Sequence, residues 1–201
     1  RTFPADLTDP GNIGRLANAL LAGFGPPDIV IHSMGGGLGF HDPLPTTEQL
    51  DDLFRTNLCA SMELNRVLIP TMCKDGDNGR YIVHVGSTAS TAAIASVGYN
   101  TVKAALAAYV RSLGNEYAPT NVVITGILPG AFYAPGNSWE ILEQDKPETV
   151  ERFVKERLPR GMIAKSEEIL PLLFLLTGSG ASMMAGTCVA IDAGEGHSYA
   201  A

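Results

Sequence analysis

The chain has 201 residues, 45% hydrophobic and 17% charged, which is enough apolar material for a sizeable core. A formal net charge of −7, with acidic residues scattered and no basic stripe, weighs against nucleic-acid or anionic-membrane partners. The longest apolar stretches, such as residues 169–177, fall far short of the roughly 20 residues that span a bilayer, and no signal peptide opens the chain, so a cytoplasmic location is the default expectation. In chain order, the Asp9-Pro10-Gly11 turn predicts a helix over 12–24, followed by a buried strand over 28–33 that runs into glycines. Thr46, with Gln49 three residues on, forms a capping box at the head of a long helix that contains Asn57 and reaches residues 70–72. A polar turn over 74–79 ends that unit. Strand 81–85, helix 96–117 and strand 121–128 follow. Strands alternating with helices of this length predict an α/β fold, a doubly wound, mostly parallel sheet with helices on both faces.

Residues 131–161 break the alternation, are mixed in charge and carry the only Trp, so they predict a partly helical lid. Phe132, Tyr133 and Trp139 either pack on a substrate or form the lid's own small core. Ser166 is expected to cap the last helix, which Gly178 ends. Cys59, Cys73 and Cys188 are odd in number and lie in apolar segments, so they read as reduced core residues. His32, His41, His84 and His197 lack metal-ligand spacing and read as strand or loop histidines. No catalytic metal is expected.

The most informative feature is Tyr99 four residues before Lys103 in a helical stretch, which puts both on one face. An ammonium beside a phenol favours the phenolate, so the pair predicts a tyrosine with a lowered pKa, suited to moving a proton near neutrality. Ser87 follows the run Tyr81-Ile-Val-His-Val-Gly86, which places its hydroxyl at a strand's carboxyl end, where open α/β sheets bind ligands. Upstream lie Asp28-Ile-Val-Ile-His-Ser-Met-Gly-Gly36 and Phe54-Arg-Thr-Asn57. Downstream lie Val122-Val-Ile-Thr-Gly-Ile-Leu-Pro129-Gly130 and Gly186-Thr-Cys-Val-Ala-Ile-Asp192-Ala-Gly194. In this order and spacing the chain resembles the short-chain dehydrogenase/reductase family from its first residues to near its end.

The resemblance implies a single Rossmann-like domain, NAD or NADP as cofactor, a small carbonyl or alcohol substrate and a homodimer or homotetramer paired through the Asn57 helix and helix 96–117. It matches Asn57, Ser87, Tyr99 and Lys103 to the family's catalytic tetrad. Tyr99 would be the general acid/base, Ser87 would hold the substrate oxygen, Lys103 would lower the tyrosine pKa and bind the nicotinamide ribose, and Asn57 would position a relay water. It also matches Asp6 to the residue that contacts adenine, with Leu7 beside it, sets Ser33, Met34 and Gly35 along the cofactor, and sets Pro129 and Gly130 at the turn beside the nicotinamide.

Three departures stand out. The family usually has Asn-Asn-Ala-Gly where this chain has His32-Ser33-Met34-Gly35, and frequently Thr where this chain has Ala134. No Gly-rich pyrophosphate turn precedes Asp6, and the glycines at 35–39 read as a loop over the cofactor because no helix follows them. Residues 1–6 then read as the fold's third strand, with two strand-helix units absent before them and strand 28–33 left as an apolar sheet edge. The choice between NAD and NADP lies in that absent region. Two functions follow as expectations: a hydride-transferring enzyme, or a truncated non-catalytic subunit.

Overall fold

The computed structural model describes residues 1–73 and 79–197. The turn expected over 74–79 lies, but for Gly79, outside the described residues. Helix α1 (Pro10–Phe24) begins at Asp9, whose carboxylate accepts from the Gly11 N–H, with Pro10 in the first turn, where its missing N–H costs nothing. It ends at Gly25, in the left-handed region at φ 75°. Strand β1 (Ile29–His32) leads through the glycine loop to α2 (Thr47–Phe54), which opens with the expected Thr46/Gln49 capping box. A π-helical turn (Arg55–Cys59) joins α2 to α3 (Ala60–Met72). Then come β2 (Arg80–Val85), α4 (Val97–Tyr117) and β3 (Val122–Pro129).

The chain next leaves the sheet through β4 (Phe132–Tyr133), α5 (Ser138–Asp145) and α6 (Pro147–Arg157) and returns by β5 (Ala164–Lys165), which pairs in parallel with β4. Helix α7 (Leu170–Leu176) and β6 (Cys188–Ile191) are the last α-helix and strand among the described residues, before the loop that runs to residue 197. Ser166 does not cap α7. It sits in a 3-10 turn (Ser166–Glu168), and α7 starts at Leu170 with Pro171 in its first turn.

The main sheet runs β1-β2-β3-β6, all parallel. Alternation along β2 sends Ile82 towards α1 and α3 and Val83 towards α7, so the two faces build separate cores. A third apolar cluster, with Leu53, Val102, Leu106, Val110 and Leu128, seats α4 on the sheet. This seating fixes the height of Tyr99 and Lys103 above the strand ends. No helix among the described residues is long and apolar enough to cross a membrane.

Residues 1–6 form no strand, contrary to the expectation. Phe3 instead packs edge-on against Phe24 at 5.9 Å, Arg1 lies over the same ring, and Pro4 has no N–H to give to a ladder. Among the described residues β1 has β2 as its sole neighbour, and Ile29 and Ile31 are 47% and 45% exposed. Such an edge templates pairing with another chain. A polypeptide of residues 1–201 is expected to self-associate, and Ile29→Lys with Ile31→Lys to lower the associated fraction in sedimentation velocity. A monodisperse monomer before substitution would contradict this.

Candidate active site

Four side chains converge above the carboxyl ends of β1, β2 and β3. Ser87 is extended (φ −168°, ψ 152°) just past β2. Its Oγ accepts from the Ala89 N–H at 3.1 Å and is hydrogen-bonded to the Tyr99 hydroxyl. Thr88 ties this turn to the next strand by donating to the Pro129 carbonyl at 3.3 Å. Lys103 lies one turn of α4 beyond Tyr99. It is 3% exposed, its Nζ donates to the Val85 carbonyl at 3.5 Å, and it stands 5.4 Å from the Tyr99 ring centroid.

Asn57 sits in the π turn, where Ala60 donates to the Arg55 carbonyl. This wider turn carries the buried amide side chain towards the glycine loop. Its Oδ1 accepts from the Gly36 N–H at 3.0 Å, while Nδ2 donates to the carbonyls of Gly36 (2.9 Å) and Leu53 (3.0 Å). A Cβ at Gly35 would stand 2.6 Å from Asn57 Oδ1 and 2.9 Å from Lys103 Nζ, so this glycine is the point where loop, amide and ammonium meet. The loop also reaches the tyrosine, since a Cβ at Gly37 would touch the Tyr99 ring at 3.8 Å.

Electrostatics differ from the expectation in one respect. Tyr99 is raised above the ordinary phenol value because burial outweighs the Ser87 hydrogen bond, so the expected lowering by Lys103 is absent. Burial also pushes Lys103 down, from 10.5 to about 8. Between about pH 8 and 10.5 the unfolded chain therefore holds a proton on Lys103 that the folded chain has lost, and stability rises with pH across that window. Urea unfolding at its two ends is expected to show this gain in the native protein and a smaller one in Lys103→Met. Equal gains in both would refute it.

The remaining expected contacts divide. Leu7, Met34 and Asn57 line one small cavity, with Ser33 and Gly35 exposed along the loop beside it. Asp6 is exposed, and its polar contacts run to Thr8 and Asn12, not to the tetrad. The Thr8 bonds hold its carboxyl below the usual range. Tyr133 and Trp139 belong to the lid's own core, Trp139 lying 4.4 Å from Phe153, and Phe132 packs towards α7. Cys188 is buried and Cys73 half-buried, but Cys59 is exposed, contrary to its reading as core. No group of three His, Cys, Asp or Glu among the described residues is placed to hold a metal.

One feature of the site is absent from the sequence reading. Parallel register aligns His32 with His84, and their rings stack at 4.5 Å. Asn65 bridges them, with Oδ1 at 2.8 Å from His32 Nε2 and Nδ2 at 3.2 Å from His84 Nε2. Nδ2 also donates to the Tyr109 hydroxyl at 3.0 Å. With the amide assigned this way, His32 carries its proton on Nε2 and His84 on Nδ1. Desolvation lowers both pKa values and keeps the pair neutral beside Lys103. The available signal was two neighbouring strand runs each carrying a histidine near its carboxyl end.

The sequence matches the family model described as enoyl-(acyl carrier protein) reductase over residues 1–195. The chain belongs to the short-chain dehydrogenase/reductase family. Among curated relatives, 2-dehydro-3-deoxy-D-gluconate 5-dehydrogenase of Dickeya dadantii is 24% identical over 194 residues, covering 96% of this chain and 75% of that protein. The RhlG/NADP active-site complex of Pseudomonas aeruginosa superposes with a TM-score of 0.86 at 24% identity, covering 96% of this chain and 75% of that one. L-sorbose reductase of Gluconobacter frateurii, complexed with NADPH and L-sorbose, superposes with a TM-score of 0.83 at 23% identity, covering 95% and 74%.

The chain thus belongs to a family of dehydrogenases and reductases, and the two solved neighbours hold NADP and NADPH. The residues present fit such a cofactor. The Lys103 ammonium is buried with one long bond to a carbonyl, which leaves donors for ribose hydroxyls, and nothing lies within 4 Å of where a Cβ at Gly36 would stand, so the loop backbone is open to a ligand there.

Proposed function

We propose that the protein transfers hydride between NAD(P) and a carbonyl/secondary-alcohol substrate, with Tyr99 as the general acid/base. The observation that carries this reading is the convergence of Ser87, Tyr99 and Lys103 at the carboxyl end of the sheet. When bound, the nicotinamide supplies or accepts the hydride. Tyr99 gives its hydroxyl proton to the substrate oxygen in reduction and takes it back in oxidation. Ser87, whose Oγ accepts from the Ala89 amide, turns its own proton from the Tyr99 oxygen to that of the substrate. Lys103 holds the nicotinamide ribose. The amide of Asn57 is committed to Gly36 and Leu53, so the relay water proposed at this residue falls to its main chain. Asp6 and Leu7 serve the adenine end, Ser33, Met34 and Gly35 the middle, and Pro129 and Gly130 the nicotinamide end.

We also expect a homodimer or homotetramer. The large apolar side chains left exposed on α3 and α4 are Met62 and Val97, whereas Phe174, Leu175 and Met183 gather on and after α7, which supports α7 as a second pairing surface.

Titrating the protein with NADH and NADPH, followed by nicotinamide fluorescence, tests the site. Saturable binding that weakens about tenfold or more in Lys103→Ala is expected, given the ordinary worth of charge-assisted hydrogen bonds. Saturable binding unchanged by that substitution would overturn the assignment.

A further inference from the structure

The geometry points to Glu195 as the residue that positions the turn at residues 129–131 and, through it, the root of the lid. The inference rests on the reading of that turn as the nicotinamide end of the site. Glu195 is 4% exposed, and its Oε2 accepts from the Ala131 N–H at 2.6 Å, across 64 residues of sequence. The contact is also steric. A Cβ at Gly130 would overlap Glu195 Oε2 and lie 2.9 Å from Asp192 Cβ, so the turn rests directly on the acidic loop.

That loop is held by its own hydrogen bonds. The Glu195 N–H donates to the Asp192 carbonyl at 3.0 Å, and the Asp192 carboxylate accepts from the amides of Gly194 (3.0 Å) and Gly196 (2.9 Å). Ala131 is the junction that the carboxylate holds. The residue before it, Gly130, donates to the Ile191 carbonyl at 3.1 Å, and the Ala131 carbonyl accepts from Ala164 at 3.2 Å, where the lid returns. Sheet exit, lid entry and lid exit therefore meet at one residue, and Glu195 fixes the orientation of its amide.

Burying a carboxylate is costly unless its oxygens are satisfied, and an apolar side chain would fill the same space at lower cost. The charged groups around it are Asp192 on its own loop and Arg157 at the end of α6. What the carboxylate supplies beyond packing is an acceptor oxygen for one backbone amide.

The test uses Glu195→Ala and Glu195→Gln in the intact protein, with two readouts: hydrogen exchange at the Ala131 amide, and the Kd for NADH and NADPH by nicotinamide fluorescence. Glu195→Ala is expected to speed exchange and to raise Kd by about tenfold, while Glu195→Gln, which keeps the size and an acceptor oxygen, stays within about threefold in both. Glu195→Asp, which withdraws the charge by one methylene, is read as the alanine variant is if that variant does not fold. Unchanged exchange, or an unchanged Kd in a folded alanine variant, overturns the inference. If the native protein binds neither nucleotide, the reading of the site fails, and exchange at Ala131 alone still decides whether Glu195 holds the turn.

Discussion

Tyr99→Phe is expected to lower kcat by about 10²–10⁴-fold, the usual contribution of a positioned acid/base group. The fold should persist, because the substitution removes one hydroxyl and leaves the ring against the glycine loop. The hydroxyl is hydrogen-bonded with Ser87, and burial raises the phenol pKa, so its proton is held near neutrality. Turnover measured beside far-ultraviolet circular dichroism checks both halves. A folded variant with near-native turnover would remove Tyr99 from the mechanism.

Gly114→Ala is expected to be the most damaging small substitution in α4. Helix propensity alone predicts a gain of about 1 kcal/mol. Packing opposes it: the new Cβ would overlap the amide nitrogen and Cα of Gly186 and stand 2.9 Å from the Ile124 carbonyl oxygen, and all three are backbone atoms. Overpacking costs about 1–3 kcal/mol and more where the neighbours cannot yield. Gly186 is itself held at φ 74° and donates to Ile124, so it cannot move away cheaply. A net loss of about 2 kcal/mol follows from these terms, read as a lower urea midpoint. Activity should fall with it, since α4 carries both Tyr99 and Lys103. A stabilised variant would mean that propensity outweighs this contact.

The strand and helix runs were legible because their periods of two and 3.6 are local properties, and so was the capping box at Thr46. Tyr99, Lys103 and Ser87 were legible through spacing, because a helical turn and a strand end fix where such side chains point. The lid's apolar core was left open by the sequence: Trp139 meets Phe153 only when α5 folds against α6, and nothing local tells that partner from a substrate. The π turn at Asn57 follows from no residue type.

The rest required tertiary contacts. Asn65 joins His32 and His84 from 33 and 19 residues away, and Glu195 reaches Ala131 across 64. The Tyr99 pKa was misjudged for the same reason: helical spacing brings the ammonium near, but the depth of burial that outweighs it is set by the whole fold. The first six residues form no strand, and the contact of Phe3 with Phe24 that they make instead has no periodic signal.

Hydride transfer at this site can be followed by isotope. The most direct measurement supplies reduced nicotinamide cofactor carrying deuterium at the transferable position, together with a panel of small ketones, keto sugars, steroids and acyl compounds, and follows the label by mass spectrometry. Deuterium is expected on the carbinol carbon of at least one product in the native protein, and none above background in Tyr99→Phe. A protein that binds the cofactor saturably yet transfers label to no member of the panel, or transfers it equally well without the Tyr99 hydroxyl, would contradict it.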